Sequence, residues 1–298
     1  MEEIDLSVII VCYQSDDFIF DAVRSVIKYD DLEGGRTEII LVDNSPAEYA
    51  RQSFAKLRHE FGDRIILIHN ARNGGYGQGN NLGIAHSKGK MICIMNPDVN
   101  LVRPIFRHIR ERFRRSPQLA LIGGKQCGHK NISFYFKPEY EFLLFTGVLT
   151  MLCNRLNFYH PKYMFLSGAF LFMDKAKFEA AGNFDENIFL YCEEADISHR
   201  IQAAGYTTLY DRSIEYNHLI DGRTELSAHG FKVLLESNRY YFLKFKLNFR
   251  RFLHQKVWSY HLMGIIFYKR PQQKKTGNSI WIGLNLKPPE RPDFDYLY

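Results

Sequence analysis

Carboxylate, amide and phenol side chains follow three short apolar segments near the start of this chain. Each segment has the pattern of a buried strand. The polar residues that follow them are Tyr13 and Gln14, Asp43 and Asn44, and Asn96, Pro97 and Asp98. Pro97 cannot donate to a sheet ladder, so the last of these strands should end before it and leave Asp98 at the carboxyl edge of the sheet. Ligands of open α/β sheets bind at this edge, and a carboxylate there can hold a divalent cation against a phosphate.

A glycine-rich segment, Asn73–Gly79, precedes the strand that ends at Met95. Its backbone amides could approach a phosphate closely. It is not a P-loop, because no Gly-Lys-Ser/Thr sequence follows it. It also does not come directly after the first strand, as the dinucleotide-binding fingerprint does. We expect a loop over 70–79 and a helix that opens at Asn80.

A second group of acids, Glu193, Glu194 and Asp196, stands at the start of a predicted helix. Carboxylates in a first helical turn complement the helix dipole, so capping alone explains them. The preceding segment, Phe184–Tyr191, is apolar, and acids beside aromatic residues can have the raised pKa values that suit a general base. From the residues alone, capping and catalysis have equal weight.

His218 follows a short segment that has the pattern of an edge strand. A single histidine is most often structural or exposed. If Asp98 holds a cation, His218 becomes a candidate ligand as well, since imidazole suits Mn²⁺ better than Mg²⁺.

Strand and helix alternate four times over the first hundred residues. This alternation predicts right-handed βαβ crossovers and a mostly parallel, Rossmann-like sheet flanked by helices. Further on, the pattern predicts one strand over Phe165–Met173 and irregular structure or an excursion over 125–160. A basic, aromatic helical region follows over 227–270, and a proline-containing tail ends the chain.

The composition is that of an ordinary globular protein, with 46% hydrophobic and 24% charged residues in 298. A net charge of +6 permits anionic partners but selects none of them. The five cysteines are dispersed, which favours reduced thiols in a cytosolic setting. We find no signal-peptide pattern and no apolar stretch long enough to span a bilayer. We therefore expect a cytoplasmic protein, soluble or peripheral on the inner face of the membrane.

Taken together, these motifs resemble the family-2 inverting glycosyltransferases of the GT-A fold, in particular a bacterial rhamnosyltransferase-like branch. The resemblance covers roughly residues 5–225, with the motifs in family order. The matching pieces are Ser7–Tyr13, Ile40–Ser45, Asn73–Gly77 with Asn80 and Gly83, Met95–Asp98, Ser167–Ala169, Phe184–Glu186, Glu193–Asp196 with Arg200, Gly205–Tyr206, and His218.

The resemblance implies a role for each matching residue. Asp43 would contact the base of a nucleotide-sugar donor, with Tyr13 near the base or ribose. Asp98 would hold Mn²⁺ or Mg²⁺ on the donor diphosphate, with His218 as a second metal-site residue. Glu194 would be the catalytic base. The further nucleotide contacts would be Asn73, Gly75, Asn80 and Asn96, and the acceptor site would include Glu193, Asp196 and Arg200.

Two positions depart from the family pattern. The family's DxD motif reads Asn96-Pro97-Asp98 here, so one carboxylate is missing and metal binding depends mainly on Asp98. The usual Glu-Asp pair reads Glu193-Glu194, which leaves the identity of the base open between these acids.

The resemblance also implies a biological setting. It favours dTDP-L-rhamnose as the donor and a saccharide or polyprenyl-diphosphate-linked saccharide as the acceptor, in the synthesis of a bacterial surface polysaccharide such as O-antigen. It divides the chain into a catalytic domain over 1–225, with a nucleotide half (1–100) and an acceptor half (101–225), and a helical extension over 226–298.

Several alternatives remain open from the sequence. The helical extension has nine Lys or Arg residues against one acid over 226–270, so it could bind anionic lipid, pack on the catalytic domain or form a homodimer. It has no recognisable RNA- or DNA-binding motif. The chain could also be a catalytically silent nucleotide-sugar-binding homologue or a sugar nucleotidyltransferase.

Overall fold

The structure, a computed structural model, describes residues 4–15, 17–33, 36–127, 132–141, 145–219 and 228–268. The strands are β1 (Leu6–Cys12), β2 (Thr37–Asp43), β3 (Ile65–His69), β4 (Met91–Met95), β5 (Val99–Leu101), β6 (Leu119–Cys127), β7 (Phe134–Phe136), β8 (Met164–Leu166), β9 (Phe170–Asp174) and β10 (Thr207–His218). The helices are α1 (Phe18–Tyr29), α2 (Ala47–Phe61), α3 (Tyr76–His86), α4 (Phe106–Arg115), α5 (Phe145–Leu156), α6 (Lys175–Ala180), α7 (Glu193–Ala203), α8 (Ala228–Lys244) and α9 (Phe249–Tyr268).

Eight strands form one mixed, mostly parallel sheet in the order β3-β2-β1-β4-β9-β6-β10-β5. Strands β3, β2, β1 and β4 are parallel, and so are β6 and β10. Strand β9 runs antiparallel to both of its neighbours, and the edge strand β5 runs antiparallel to β10. The predicted α/β class is confirmed.

Both faces of the sheet are covered by helices, because the central strands are apolar on both sides. On β1, Val8 and Ile10 pack with α1, α2 and α4 in one core, while Ile9 packs with α3, α6 and α7 in the other. The sheet is therefore buried in the middle, and ligands can reach it only at the ends of its strands.

The segment predicted as one strand, Phe165–Met173, is divided into β8 and β9. Strand β8 pairs with β7 in a separate two-stranded sheet, whereas β9 enters the main sheet between β4 and β6. The break falls at Ser167–Ala169, because the N–H of Ser167 donates to the carbonyl of Ser133, outside the main sheet. The prediction of a single strand was wrong at this point.

Two other local expectations were also wrong. The helix expected to open at Asn80 begins at Tyr76, so Gly77 and Gly79 are helical. The region 125–160, expected to be irregular, contains the end of β6, strand β7 and helix α5.

The region 227–270 contains two helices, α8 and α9, as predicted. The buried aromatic side chains Tyr241, Phe242 and Phe252 pack together with Cys192 and Ala195 beside the start of α7. This face of the two helices therefore packs against the start of α7. The predicted tail lies outside the described residues. Within the described part of the chain, none of the helices is both long enough and apolar enough to cross a membrane.

Candidate active site

The polar ends of the parallel strands meet at one edge of the sheet. Asp43 is in register with Cys12 on one side and with His69 on the other. Its buried Oδ1 accepts the N–H of Ser45 at 2.8 Å, which fixes the turn after β2. Tyr13, just beyond the end of β1, has an exposed ring. Buried Asp43 and exposed Tyr13 thus both lie at the carboxyl edge of the sheet.

Amide side chains form a network beside this edge. Asn70 donates to Oδ1 of Asn44 at 2.7 Å and to Oε1 of Gln78 at 2.6 Å. Asn44 in turn donates to the carbonyl of Gly75 at 3.2 Å and to Oδ1 of Asn73 at 3.4 Å. The network joins the end of β2 to the segment before α3, and it leaves Asn73 exposed.

Gly75 lies at a close backbone contact. Its φ of +92° is in the region that favours glycine, and a Cβ built on it would stand 1.9 Å from the carbonyl oxygen of Phe189. The same oxygen accepts the N–H of Tyr76 at 3.1 Å. The space above this glycine is therefore filled by the loop before α7. Asn80, a predicted nucleotide contact, is fully buried in α3, and its Nδ2 donates to the carbonyl of Tyr76.

The structure brings Asp98 and His218 together. Strand β5 starts directly after Asp98, β10 ends at His218, and the two strands pair with Val99 opposite His218. As a result, Nε2 of His218 lies 3.0 Å from Oδ2 of Asp98, and both side chains are largely buried. The N–H of Leu219 also donates to the carbonyl of Asp98 at 2.9 Å.

Ser167–Ala169 joins this pair to the acids of α7. On one side, the carbonyl of Ala169 accepts the N–H of Asn96 at 2.9 Å. On the other side, the N–H of Gly168 donates to Oε1 of Glu194 at 3.1 Å. The turn that precedes the predicted metal ligand Asp98 therefore contacts the same three-residue segment as the predicted base Glu194.

Glu193 and Glu194 have different surroundings in the first turn of α7. Glu193 is only 2% exposed, and its Oε1 has no hydrogen-bond partner among the described residues. Burial, together with the nearby charge of Glu194, raises the pKa of Glu193 well above its ordinary value. Glu194 is partly exposed. Tyr191 and Cys192, just before the helix, both adopt a left-handed φ of 69°.

Asp196 lies in a charged cluster below these acids. It is fully buried, its Oδ2 accepts from the guanidinium of Arg200, and its Oδ1 accepts from Nζ of Lys244 on α8. Lys244 also contacts Oδ2 of Asp185 at 2.7 Å. Burial alone would raise the pKa of Asp185, but hydrogen bonds from Lys244, the Asn187 backbone and Tyr240 outweigh it and hold that pKa below its ordinary value.

The sequence assigned no role to Lys244, and it indicated Asp185 only as part of the matching piece Phe184–Glu186. Each is an ordinary charged residue in its own segment, and the two are brought together only when α8 packs against the loop before α7. Arg200, a predicted acceptor contact like Asp196, also donates to the carbonyls of Ala181 and Asn183. We infer that Asp196 and Arg200 hold α7 in place.

The carboxylate of Asp98 and the imidazole of His218 could act as ligands of a divalent cation that takes its other ligands from a bound phosphate. Among the described residues, no three or more His, Cys, Asp or Glu side chains form a group that could hold a metal. A carboxylate and an imidazole are nevertheless a suitable partial ligand set, since Mg²⁺ in nucleotide sites commonly uses one or two carboxylates plus phosphates, and Mn²⁺ accepts imidazole.

Comparison of the sequence with known proteins identifies a family. The model described as glycosyl transferase family 2 matches residues 7–174. The low-salt glycan biosynthesis hexosyltransferase Agl10 of Haloferax volcanii is 27% identical over 202 residues, which cover 66% of this chain and 61% of that protein. The succinoglycan biosynthesis protein ExoO of Rhizobium meliloti is 29% identical over 128 residues, or 43% of this chain and 33% of that one. The chain thus spans less than two thirds of either relative.

Comparison with solved structures identifies the fold. The mannosyltransferase PcManGT of Pyrobaculum calidifontis, in complex with GDP-Man and Mn²⁺, superposes with a TM-score of 0.56 at 16% identity over 87% of this chain and 70% of that one. GalNAc-T7 with UDP, GalNAc and Mn²⁺ gives the same TM-score and identity over 73% of this chain and 44% of that one. The predicted GT-A fold is confirmed.

Proposed function

The chain belongs to glycosyl transferase family 2, and from this premise we propose that it transfers a sugar from a nucleotide-sugar donor to a hydroxyl group, with inversion at the anomeric carbon. One observation carries the proposal. Asn96, two residues before the Asp98 of the Asp98–His218 pair, and Glu194 both contact the segment Ser167–Ala169, so a donor diphosphate and an acceptor hydroxyl can both be held near one short segment.

The nucleotide would bind at the carboxyl ends of β1 and β2. Asp43 offers a carboxylate there, and the exposed ring of Tyr13 offers a surface for a base or ribose. Asn96 would contribute through the turn that holds Asp98. Asn73 and Gly75 border the same edge, whereas buried Asn80 would act by holding the start of α3.

Asp98 and His218 would hold a divalent cation, Mn²⁺ or Mg²⁺, on the donor diphosphate. Such a cation offsets the negative charge that builds on a leaving nucleoside diphosphate. The pairing of β5 with β10 keeps the two side chains together before the donor arrives. This preorganisation reduces the ordering needed on binding.

Glu194 would act as the general base. It is partly exposed and held by the N–H of Gly168, whereas Glu193 is buried with a raised pKa. Glu194 would take the proton of the acceptor hydroxyl as its oxygen attacks the anomeric carbon from the face opposite the leaving group. A single displacement of this kind inverts the anomeric configuration. Buried Glu193, whose raised pKa favours the neutral form, would keep water and a second negative charge away from Glu194.

For the substrates, we propose dTDP-L-rhamnose as the donor and a saccharide or polyprenyl-diphosphate-linked saccharide as the acceptor, in the synthesis of a bacterial surface polysaccharide. The rhamnosyltransferase-like motifs support this choice. The names of the relatives, a glycan biosynthesis hexosyltransferase and a succinoglycan biosynthesis protein, support a role in glycan assembly.

The test begins with a thermal-shift screen of UDP-, GDP- and dTDP-sugars, each with Mn²⁺, Mg²⁺ or EDTA. A ligand that binds only the folded chain raises its Tm, so the cognate donor should stabilise most, and only with metal. Donor hydrolysis and transfer to saccharide acceptors are then measured, and NMR gives the anomeric configuration of the product. We expect metal-dependent turnover with inversion.

Other outcomes would contradict the proposal. Metal-dependent nucleotide binding with no hydrolysis or transfer to any acceptor would identify a catalytically silent homologue. Release of pyrophosphate from a nucleoside triphosphate and a sugar 1-phosphate would identify a nucleotidyltransferase. Retention of configuration would exclude a single displacement.

A further inference from the structure

Helix α5 exposes most of its large apolar side chains, and it buries two polar side chains beside Cys153. Phe145, Val148, Leu149, Leu152 and Leu156 recur at the spacing of one helical face, and all five are exposed. We call these five residues the apolar face. The buried residues of the same helix are Thr150, Cys153 and Asn154. This is the reverse of the usual arrangement on a protein surface, where the apolar side of a helix turns inward.

Hydrogen bonds of Asn154 fix this orientation. Its Oδ1 accepts the N–H of Ser133 at 2.7 Å, and its Nδ2 donates to the carbonyls of Phe134 and Thr150, each at 2.9 Å. The bonds to Ser133 and Phe134 join α5 to β7 and its preceding residue and are buried, so turning the helix to hide the apolar face would leave buried polar groups without partners. The exposure of the apolar face is therefore built into the fold.

Helix α9 continues this surface. Its side chains Val257, Trp258 and Leu262 are exposed, and its Lys256 contacts the carboxylate of Glu141. Glu141 is four residues before Phe145, so the start of α5 lies within about 14 Å of it along the chain. Both helices thus present apolar side chains in the same neighbourhood, including a tryptophan, the residue type that favours membrane interfaces.

Apart from Glu141, which is paired with Lys256, the charges named beside the apolar face are positive. The chain has no Asp or Glu over residues 142–173, and in this stretch Arg155 and Lys162 are exposed. On α9, Arg251 precedes Trp258 by two helical turns and is also exposed. A second copy docked on this face by a two-fold axis would bring a second set of these cations into the interface, and a like-charged face does not complement itself. An anionic surface would instead be complementary to them.

We propose that the apolar face, with Trp258, docks the protein on an anionic phospholipid surface. The five side chains enter the boundary between headgroups and acyl chains, while Arg155, Lys162 and Arg251 contact phosphates. Helix α5 packs on β7, β7 pairs with β8, and Glu194 contacts Gly168 just beyond β8. The docking surface is thereby connected through one small sheet to the candidate base.

Vesicle flotation of the full chain tests the proposal. We use vesicles of phosphatidylcholine alone and of phosphatidylcholine with 30% phosphatidylglycerol, as roughly matched to an anionic leaflet. We expect flotation with the anionic vesicles only, and at least about a ten-fold lower bound fraction at 0.5 M NaCl because salt screens the cations. The substitutions Val148→Asp and V148D/L152D should reduce binding about ten-fold or more, since charges at the centre of the apolar face oppose insertion.

Leu243→Asp is the matched control, since Leu243 on α8 is 62% exposed and Val148 is 60% exposed. It should leave binding unchanged. Circular dichroism and Tm show that each variant is folded.

The proposal is overturned by absence of flotation in wild type, by equal flotation with neutral vesicles, or by equal loss of vesicle binding in V148D and L243D. A wild-type dimer that V148D converts to a monomer, with no vesicle binding, would assign the face to self-association. Because no donor or acceptor is present, failure here leaves the transfer proposal standing.

Discussion

The contact between Gly168 and Glu194 leaves no room for a side chain at position 168. A Cβ there would lie 2.3 Å from Oε1 of Glu194, so Gly168→Ala must displace that carboxylate. We expect a loss of about 100-fold in kcat, the effect of a misplacement of roughly 1 Å, with the Kd for the donor unchanged. Steady-state kinetics and donor titration check this. A matching loss of donor affinity would show that Gly168 acts on the nucleotide.

The variants Asp98→Asn and Glu194→Gln should lose different steps of the proposed reaction. Asp98→Asn removes a charged ligand, so the donor should no longer be stabilised by metal in the thermal-shift assay. Glu194→Gln keeps the donor site but removes the base, so metal-dependent donor binding should persist while transfer falls ~10²–10⁴-fold. Near-normal turnover of either variant at saturating donor would remove that residue from its proposed role.

Glu193 gives a prediction for stability against pH. Its pKa is raised in the folded state, so its contribution to stability is fully present below the ordinary value of 4.5 and is lost as pH rises towards the folded pKa. Glu193→Gln removes this loss. We expect the variant to have a higher Tm than wild type at pH 7–8, by about 2–4 °C for each ~1 kcal/mol gained in the free energy of unfolding. The difference in Tm should shrink by pH 4.5. Scanning calorimetry over this range measures it, and a constant Tm difference would contradict it.

At the scale of residues, the sequence indicated the polar side chains at or just after the ends of apolar strands, because the end of a strand fixes where these side chains lie. Asp43, Asp98 and His218 are therefore found at one edge of the sheet. The contacts of Gly168 and Lys244 could not be predicted in this way, since each depends on a loop or helix packing from elsewhere in the chain.

At the scale of elements, Lys244 fastens helix α8 to the acids of the site. It contacts two carboxylates, those of Asp185 and fully buried Asp196, while its own side chain is 23% exposed. Lys244→Met removes the ammonium group that contacts both acids, and Asp196 keeps its contact with Arg200. We expect a loss of about 2–3 kcal/mol in the free energy of unfolding, below the full penalty for a buried pair because Lys244 is partly exposed. Urea denaturation measures this loss.

Lys232→Met, on the same helix, is the control. Lys232 is 73% exposed and lies 3.8 Å from Glu236, so its loss should change stability by less than about 0.5 kcal/mol. Equal effects of the two substitutions would mean that α8 is not held through Lys244.

The elements of the first half were predictable because their apolar patterns are continuous and their helices are amphipathic. Helix α5 was missed for the opposite reason. Its apolar residues face outward and its buried residues include Thr150 and Asn154, so its pattern does not indicate a helix packed in the ordinary way. The division between β8 and β9 was missed because both strands are apolar, and only the tertiary contacts of Ser167–Ala169 separate them.

At the scale of the whole molecule, the helical extension contributes to the catalytic domain. Tyr241, Phe242 and Phe252 are buried against the start of α7. We therefore expect a chain that ends after Leu219 to have a lower Tm than the full chain, or to aggregate, because it exposes this apolar cluster. A chain that ends after Tyr268 keeps all of these contacts and is the control. Equal Tm values for both truncations would show that the catalytic domain is independent of α8 and α9.

The pairing of β5 with β10 also sets the order in which the site can be completed. Asp98 belongs to the first half of the chain, and His218 reaches it only after the last strand of the sheet is in place. Closing such a long loop is slow, and during synthesis the N-terminal part emerges first. The ends of β1 and β2, where we propose that the nucleotide binds, are therefore synthesised well before His218 can reach Asp98. A nascent chain that has not yet added β10 would lack half of the proposed metal site. We therefore expect the ability to bind the diphosphate of the donor to appear late in the synthesis of the chain.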